Sequence, residues 1–174
     1  MSLLEIIKKR RSVRNFSGKN IEEEKLAEVL KAALFAPTAK NLRPWEFIVV
    51  ANEDTKKQFS VATRYSSFAK NAPIVIVICY DMTRGSRFKE DCAICAQNIY
   101  LEAVNQGLGT CYIQIAEGTE GSVGDPESFV KKLLNIPETH RVLCLMPIGY
   151  PAEYPEPHKE DILFDRTKIH KERF

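Results

Sequence analysis

Pro73-Ile-Val-Ile-Val-Ile-Cys79 is the stretch whose reading decides the fold. It is continuously apolar and β-branched, without the alternation of a half-exposed strand, and so predicts a strand covered on both faces. Such a strand needs helices packed on either side of its sheet. With Tyr80 it forms the longest apolar run, far short of the roughly 20 residues a membrane-crossing helix requires. Downstream, Phe88, Cys92, Cys95, Ala96, Ile99 and Ala103 recur at helical spacing and predict a helix over about 87–106, stopped by Gly107. Ile94, Tyr100, Leu101 and Val104 lie off that stripe, so this helix is apolar on more than one face, as deeply buried or interfacial helices are. Upstream, Trp45 to Val50 reads as a strand, and Glu53 to about Tyr65 as a weaker helix. Further out, Ser2-x-x-Glu5 is a capping box for a helix over about 3–10. Asn20-x-x-Glu23 opens another, with Leu26, Val29, Leu30, Ala33 and Leu34 as its stripe and Pro37 as its stop. Towards the end, Gly109 to Ile115 predicts a strand, Asp125-Pro126 caps a helix to about Leu134, and Val142 to Ile148 predicts the last core strand. From Gly149 the chain carries Pro151, Pro155, Pro157 and many charges, the composition of an extended arm. Helices and about four strands in rough alternation make a layered αβ domain.

A chain of 174 residues predicts one domain able to build a core without a disulfide or metal staple. At 44% hydrophobic and 28% charged, it is neither disordered, collagen-like nor a coiled coil. A net charge of +2 is too mild to announce nucleic acid. Met1-Ser2-Leu3-Leu4-Glu5 turns polar too early for a secretory h-region, so a cytoplasmic location is expected. The five cysteines, Cys79, Cys92, Cys95, Cys111 and Cys144, all fall in apolar stretches and predict buried, reduced thiols. Cys92-x-x-Cys95 has half the spacing of a zinc or redox motif, but nothing completes it, and His140, His158 and His170 are scattered; no metal site is expected.

Two clusters carry chemistry. Lys8-Lys9-Arg10-Arg11-Ser12-Val13-Arg14 places guanidinium groups around a hydroxyl, a good clamp for a phosphate. If the first helix continues, Arg10 and Arg14 share one side; from the run alone, a solvated basic helix end is the more ordinary reading. Ala36-Pro37-Thr38-Ala39-Lys40-Asn41-Leu42-Arg43-Pro44-Trp45 sets amide, hydroxyl and cationic groups on a proline-stiffened connector, suited to a polar heterocycle. Asn105-Gln-Gly107-Leu-Gly109 lacks the Gly-x-Gly-x-x-Gly fingerprint, so a permanent Rossmann-type nicotinamide site is not expected.

Taken in order, Arg10 to Phe16, Ala36-Pro37-Thr38 to Asn41, Pro44-Trp45-Glu46-Phe47, Asp91 to Tyr112 and Pro147-Ile148-Gly149-Tyr150-Pro151 resemble the FMN-dependent nitroreductase-like flavoproteins over nearly the whole chain. The resemblance implies an α+β fold: an αβ sandwich with a central, mostly antiparallel sheet flanked by helices. It implies a core over 1–150 and an extended C-terminal arm over 151–174 that packs on the partner subunit of a homodimer. FMN is the implied cofactor and NAD(P)H the transient electron donor. A hydride passes through flavin N5 to a nitroaromatic, quinone or similar small acceptor by a ping-pong route. No side chain is required as a catalyst, because the flavin carries the chemistry. By the same resemblance, Arg10, Arg11, Ser12 and Arg14 contact the FMN phosphate and ribityl chain. Pro37, Thr38, Ala39 and Asn41 reach the flavin of the other subunit, and Gly107 and Gly109 with the strand after them back the ring.

Two departures stand out. Arg43 occupies a position where the family often has glutamine, which brings a fixed charge that favours an anionic substrate. After Gly149-Tyr150-Pro151 the usual basic cluster is reduced to Lys159, or the later Arg166, as the cation that completes the phosphate site. The chain is also short for the family, which implies an open, shallow substrate site. Rival readings inside the family are dehalogenation, fragmentation of reduced FMN and azoline oxidation; a non-catalytic FMN carrier is a further one. Neither nucleic acid nor a membrane is an expected partner.

Overall fold

Val75, Val77 and Cys79 enter one apolar cluster and Ile76, Ile78 and Tyr80 another, so the decisive strand is buried from both sides. The computed structural model describes residues 1–116 and 119–174. The strand, β2 (Ile74–Asp81), lies between β1 (Trp45–Val50) and β5 (His140–Gly149). The far side of β5 pairs with two short strands, β3 (Gly109–Thr110) and β4 (Ile113–Gln114). Every pairing between these strands is antiparallel. One face of the sheet is covered by α4 (Phe88–Asn105), with α2 (Glu23–Leu34) packed beside it. The other face is covered by α3 (Glu53–Phe59) and α5 (Pro126–Leu134). The architecture is the expected α+β sandwich. Among the described residues no helix is long and apolar enough to cross a membrane.

The single strand expected over Gly109 to Ile115 is interrupted. Thr110 opposes Ile148 and Ile113 opposes Leu145, so the register continues unbroken across the gap. The residue opposite Cys111 in that register is Pro147, which has no N–H to give to the ladder. The Thr110 hydroxyl donates to the Pro147 carbonyl at 2.8 Å, and the Tyr112 N–H turns to the Tyr100 hydroxyl at 2.6 Å. The remaining elements differ from expectation at their ends. α2 begins at Glu23 behind Glu22, not at Asn20. α3 stops at Phe59, where the Ser60 hydroxyl bonds back to the Lys57 carbonyl.

α1 (Leu3–Lys9) starts on the reciprocal Ser2–Glu5 capping box. Beyond it the chain runs over the β3 edge: Ser12 bridges Thr110, and the Val13 N–H donates to the Thr110 carbonyl at 3.0 Å. The first part of the arm returns along this segment within the same chain. Phe16 bridges Pro151, the Ala152 N–H reaches the Asn15 carbonyl at 3.1 Å, and the His158 N–H reaches the Lys8 carbonyl at 2.8 Å. The rest of the arm, including the one-turn α6 (Glu160–Leu163), is exposed.

Candidate functional site

The arginine cluster is built on extended chain. α1 ends at Lys9, and Arg10 already has strand-like dihedrals, φ −61° and ψ 115°. Arg10 and Arg14 still share a side, but through the two-residue alternation of a strand rather than a helical turn. The Arg10 guanidinium lies 5.2 Å from the centre of the Tyr100 ring, and that of Arg14 lies 5.9 Å from the Phe68 ring. Ser12 lies between them, near enough to Tyr100 and Cys111 for its hydroxyl to draw both of their pKa values down against the larger upward push of burial. Arg11 points the other way: its guanidinium donates to the Glu156 carbonyl, and it lines a separate cavity of about 450 Å³ with Gly107, Gly109 and Tyr154. Among the described residues no carboxylate forms an ion pair with Arg10, Arg11 or Arg14, whereas Lys8, Arg64 and Arg141 each have one. Guanidinium groups left without counter-ions around a hydroxyl are suited to an incoming anion.

Arg14 opens onto a cavity of about 510 Å³, walled by Phe68, Tyr65, Cys111, Tyr112 and Gln114, with Arg64 at its margin. The interrupted strand thus forms one wall and the 63–68 turn another. Burial pushes the Cys111 thiol above its ordinary range against the pull of Arg14, and pushes the Tyr100 hydroxyl up as well. Both side chains therefore present neutral groups beneath the two cations.

The second cluster sits elsewhere on the same chain. The Ala39 N–H donates to Asp91 Oδ1 at 3.0 Å, which ties the loop to the first turn of α4. Tyr100, under Arg10, lies nine residues further along that helix, about 13 Å away. Within one protomer the loop and the arginine cluster are not brought together. Lys40, Asn41 and Arg43 have positive φ of 54°, 57° and 48°. Non-glycine residues held in this region store strain of the kind that collects at ligand clamps. Thr38 holds the turn by accepting the Arg43 N–H at 3.2 Å, and Arg43 Nε donates to Asn41 Oδ1 at 3.0 Å. Pro37 and Arg43 are exposed, while Thr38 and Ala39 are half-buried.

The description Nitroreductase family belongs to a family model that matches residues 7–66 and 56–150. The chain is 34% identical to a protein of Methanothermobacter thermautotrophicus, provisionally named NADH dehydrogenase/NAD(P)H nitroreductase, over 100% of this chain and 88% of that one. This chain belongs to the nitroreductase family. It also superposes on an FMN-dependent nitroreductase from Clostridium difficile at 36% identity and a TM-score of 0.92, covering 98% and 99% of the two chains. An iodotyrosine deiodinase of Thermotoga neapolitana is 29% identical over 89% of this chain and 91% of its own.

For a nitroreductase-family chain, the two glycines after α4 have distinct duties. Gly107 takes φ 74°, the left-handed residue that ends the helix, and its carbonyl accepts the Tyr154 hydroxyl at 3.0 Å. A Cβ on Gly109 would lie 2.5 Å from Val13 Cγ2 and 3.1 Å from Pro151 Cγ. Gly109 thus lets the arginine segment lie flat on the sheet, and its side-chain face meets Val13 and Pro151.

The tail cations are placed apart from the cluster. Lys159 precedes α6 and lines a groove with Leu4, Ile7 and Leu163, while Arg166 stacks on Phe164 at 5.6 Å. The tail residue that meets Arg10 is His158, whose Nε2 lies 3.4 Å from the guanidinium. Sequence reading missed it because a lone histidine beside a lysine carries no signal of its own. The five nitroreductase-chain cysteines are free and buried; burial pushes Cys79 and Cys92 up to about 12 and the others upward too. None is poised as a nucleophile.

Proposed function

We propose that this chain is an NAD(P)H-dependent flavin oxidoreductase that holds FMN by its phosphate on Arg10, Ser12 and Arg14 and reduces a nitroaromatic, quinone or similar small acceptor. The observation that carries the reading is a pair of cations that find no carboxylate among the described residues, Arg10 over Tyr100 and Arg14 over Phe68, with Arg14 opening onto a cavity walled by aromatic and amide side chains. These residues fit the group: a dianionic phosphate satisfies the guanidinium groups, and Phe68, Tyr65 and Gln114 suit the body of a polar heterocycle. Bound there, FMN would supply two-electron hydride chemistry between NAD(P)H and the acceptor. The chain anchors and orients it. Arg10, Ser12 and Arg14 fix the phosphate end, and Arg11 secures the arm behind them. The cavity is open to solvent on one side, so donor and acceptor can use it in turn, as a ping-pong sequence requires.

The acting unit in this reading is a homodimer. The loop of Pro37, Thr38, Ala39 and Asn41 is tied to α4 at Asp91, about 13 Å along that helix from Tyr100 under Arg10, so in this reading a second copy supplies the loop that closes over the ring. Residues 151–158 are already engaged in cis. The part left to grip a partner is 159–174, where Ile162, Leu163, Phe164 and Ile169 are 55–70% exposed. Five unpaired thiols suit a reducing compartment such as the cytoplasm.

Purified protein should show flavin absorbance near that of free FMN, sediment at twice the chain mass, and bleach anaerobically with NADH or NADPH. Bound flavin that NADH and NADPH both fail to bleach would make the chain a carrier. The deiodinase relative supports a second reading, and turnover of iodotyrosine in preference to nitroaromatics would select it.

Arg43 tests the acceptor side. Its exposed guanidinium adds a permanent charge to the loop proposed to lie over the flavin. Arg43→Gln should lower efficiency with NADPH or a carboxylated nitroaromatic by about three- to tenfold, with little change for NADH or a neutral quinone. The difference should shrink with added salt. Equal effects on all four substrates reject the role.

A further inference from the structure

Tyr100 stands on α4 where two parts of the site meet. The Arg10 guanidinium lies 5.2 Å from the centre of its ring. Its hydroxyl oxygen accepts the Tyr112 N–H at 2.6 Å. That N–H falls in the break between β3 and β4, where the ladder with β5 is interrupted. Tyr112 and its neighbours Cys111 and Ile113 line the cavity onto which Arg14 opens. One side chain thus meets the cationic end with its face and the cavity wall with its tip. We propose that Tyr100 is a positioning residue for the flavin: its hydroxyl fixes the wall against which the ring system lies, and its own ring cradles Arg10 at the phosphate end. The inference rests on the proposal that FMN occupies this site.

The side chain is held where it can do both. Tyr100 is 8% exposed and belongs to the core cluster that includes Ile99, Ala103, Leu108 and Ile148. It sits in the second half of an 18-residue helix packed on the sheet, so its backbone cannot follow a small shift of the wall. Burial pushes the hydroxyl above its ordinary range and keeps it neutral. A neutral phenol oxygen accepts from an amide without setting a charge against Arg10. The wall needs such a tie. β3 and β4 are two residues each, and among the described residues neither Cys111 nor Tyr112 pairs with a strand. An aromatic face under a guanidinium narrows the positions the cation can take, so an arriving anion meets it already in place. Phe68 gives Arg14 the same kind of support at 5.9 Å, but a phenyl ring has no oxygen with which to reach the wall.

The test titrates apo-protein of the wild type, Tyr100→Phe and Tyr100→Leu with FMN and with riboflavin, which lacks the phosphate. Tyr100→Phe keeps a ring under Arg10 and removes the hydroxyl. It should weaken both flavins alike, by about three- to tenfold, because the lost bond belongs to the wall. The ratio of the two affinities should stay at its wild-type value, while the visible absorption bands of the bound flavin shift. Tyr100→Leu removes the cradle as well. FMN should then lose about two- to fivefold more than riboflavin does, and the ratio should fall. Tyr100→Met, which fills similar space without a ring, takes its place if the leucine variant does not fold. A residue that only fills the core would lower the melting temperature of these variants and move neither the ratio nor the spectrum. Wild-type affinities and spectra in Tyr100→Phe, or a wild-type ratio in the variants without a ring, overturn the inference. FMN bound no more tightly than riboflavin by the wild type instead overturns the phosphate reading on which it rests.

Discussion

Replacing Arg10 or Arg14 with alanine should weaken FMN binding by about ten- to a hundred-fold in each case. A hydrogen bond to a charged group contributes roughly 1.5–3 kcal/mol, which is that range in affinity. The expectation has a structural reason beyond composition. Arg10 and Arg14 flank Ser12 on the face that looks towards Tyr100 and Cys111, and no carboxylate of the described residues neutralises them. Removing Arg14 therefore leaves no orphaned ion-pair partner in the apo-protein, and removing Arg10 gives up only the long 3.4 Å contact to half-buried His158, so thermal stability should change little in either case. Arg11→Ala provides the contrast. Its guanidinium serves the Glu156 carbonyl on the opposite side, so it should loosen the arm and reduce FMN affinity by less than either neighbour. Titrating apo-protein with FMN and with riboflavin separates the cases. Losses at Arg10 and Arg14 should appear with FMN and largely vanish with riboflavin. Unchanged FMN affinity in both variants removes the phosphate from this position.

Gly109→Ala should cost about 1–3 kcal/mol of stability, the usual range for overpacking a well-filled site. In a chain of this size that is a fall in Tm of about 2–12 °C. The added Cβ would stand 2.5 Å from one carbon of Val13 and 2.8 Å from another, and it cannot be relieved by swinging a long flexible side chain. Val13 is 6% exposed and packs with Phe16 and Ala72, so it has little room to retreat. Because Val13 lies between Ser12 and Arg14, the strain should also displace the proposed phosphate contacts and weaken FMN. Gly85→Ala is the control: its nearest neighbour is a Phe88 ring carbon at 3.4 Å, an ordinary contact. Thermal melts of the apo-proteins decide the point. A Gly109→Ala protein that melts with the wild type would mean that the segment is free to lift from the sheet.

Much of the fold is legible in the residues alone. The β-branched run around Val77 announces a strand buried from both sides because continuous apolarity has no other cheap solution at that length. Ser2 and Glu5 announce α1 because their reciprocal bonds are local. Strand β1 comes from its β-branched and aromatic residues, and helix α4 from its apolar period. The features that escape depend on residues far apart in sequence. The break after Thr110 is caused by Pro147, which sits inside an apolar run that otherwise reads as plain strand. The arginines share a face by strand alternation and not by helical spacing, which needs the end of α1 to be known. That alternation separates Arg11 from its neighbours. The meeting of His158 with Arg10 spans the whole fold, and neither residue's surroundings in sequence point to the other. Lys159, the more conspicuous cation, lies on another surface.

Arg10 and His158 are 148 positions apart, so their contact joins a part of this chain to one that is made much later. During synthesis the sheet and its helices can assemble while the proposed phosphate end still lacks one wall. Closing so long a loop costs only slightly more than closing one half as long, since the entropic penalty grows with the logarithm of length. Its timing, however, is fixed by the ribosome: a nascent chain stalled before residue 158 would carry the arginines without the tail that backs them. Cofactor bound in the final arrangement then selects chains that have been read through, and stabilises them by mass action over those that have not. In a cell short of flavin, finished but empty molecules would be the population most open at this seam and most exposed to proteolysis there.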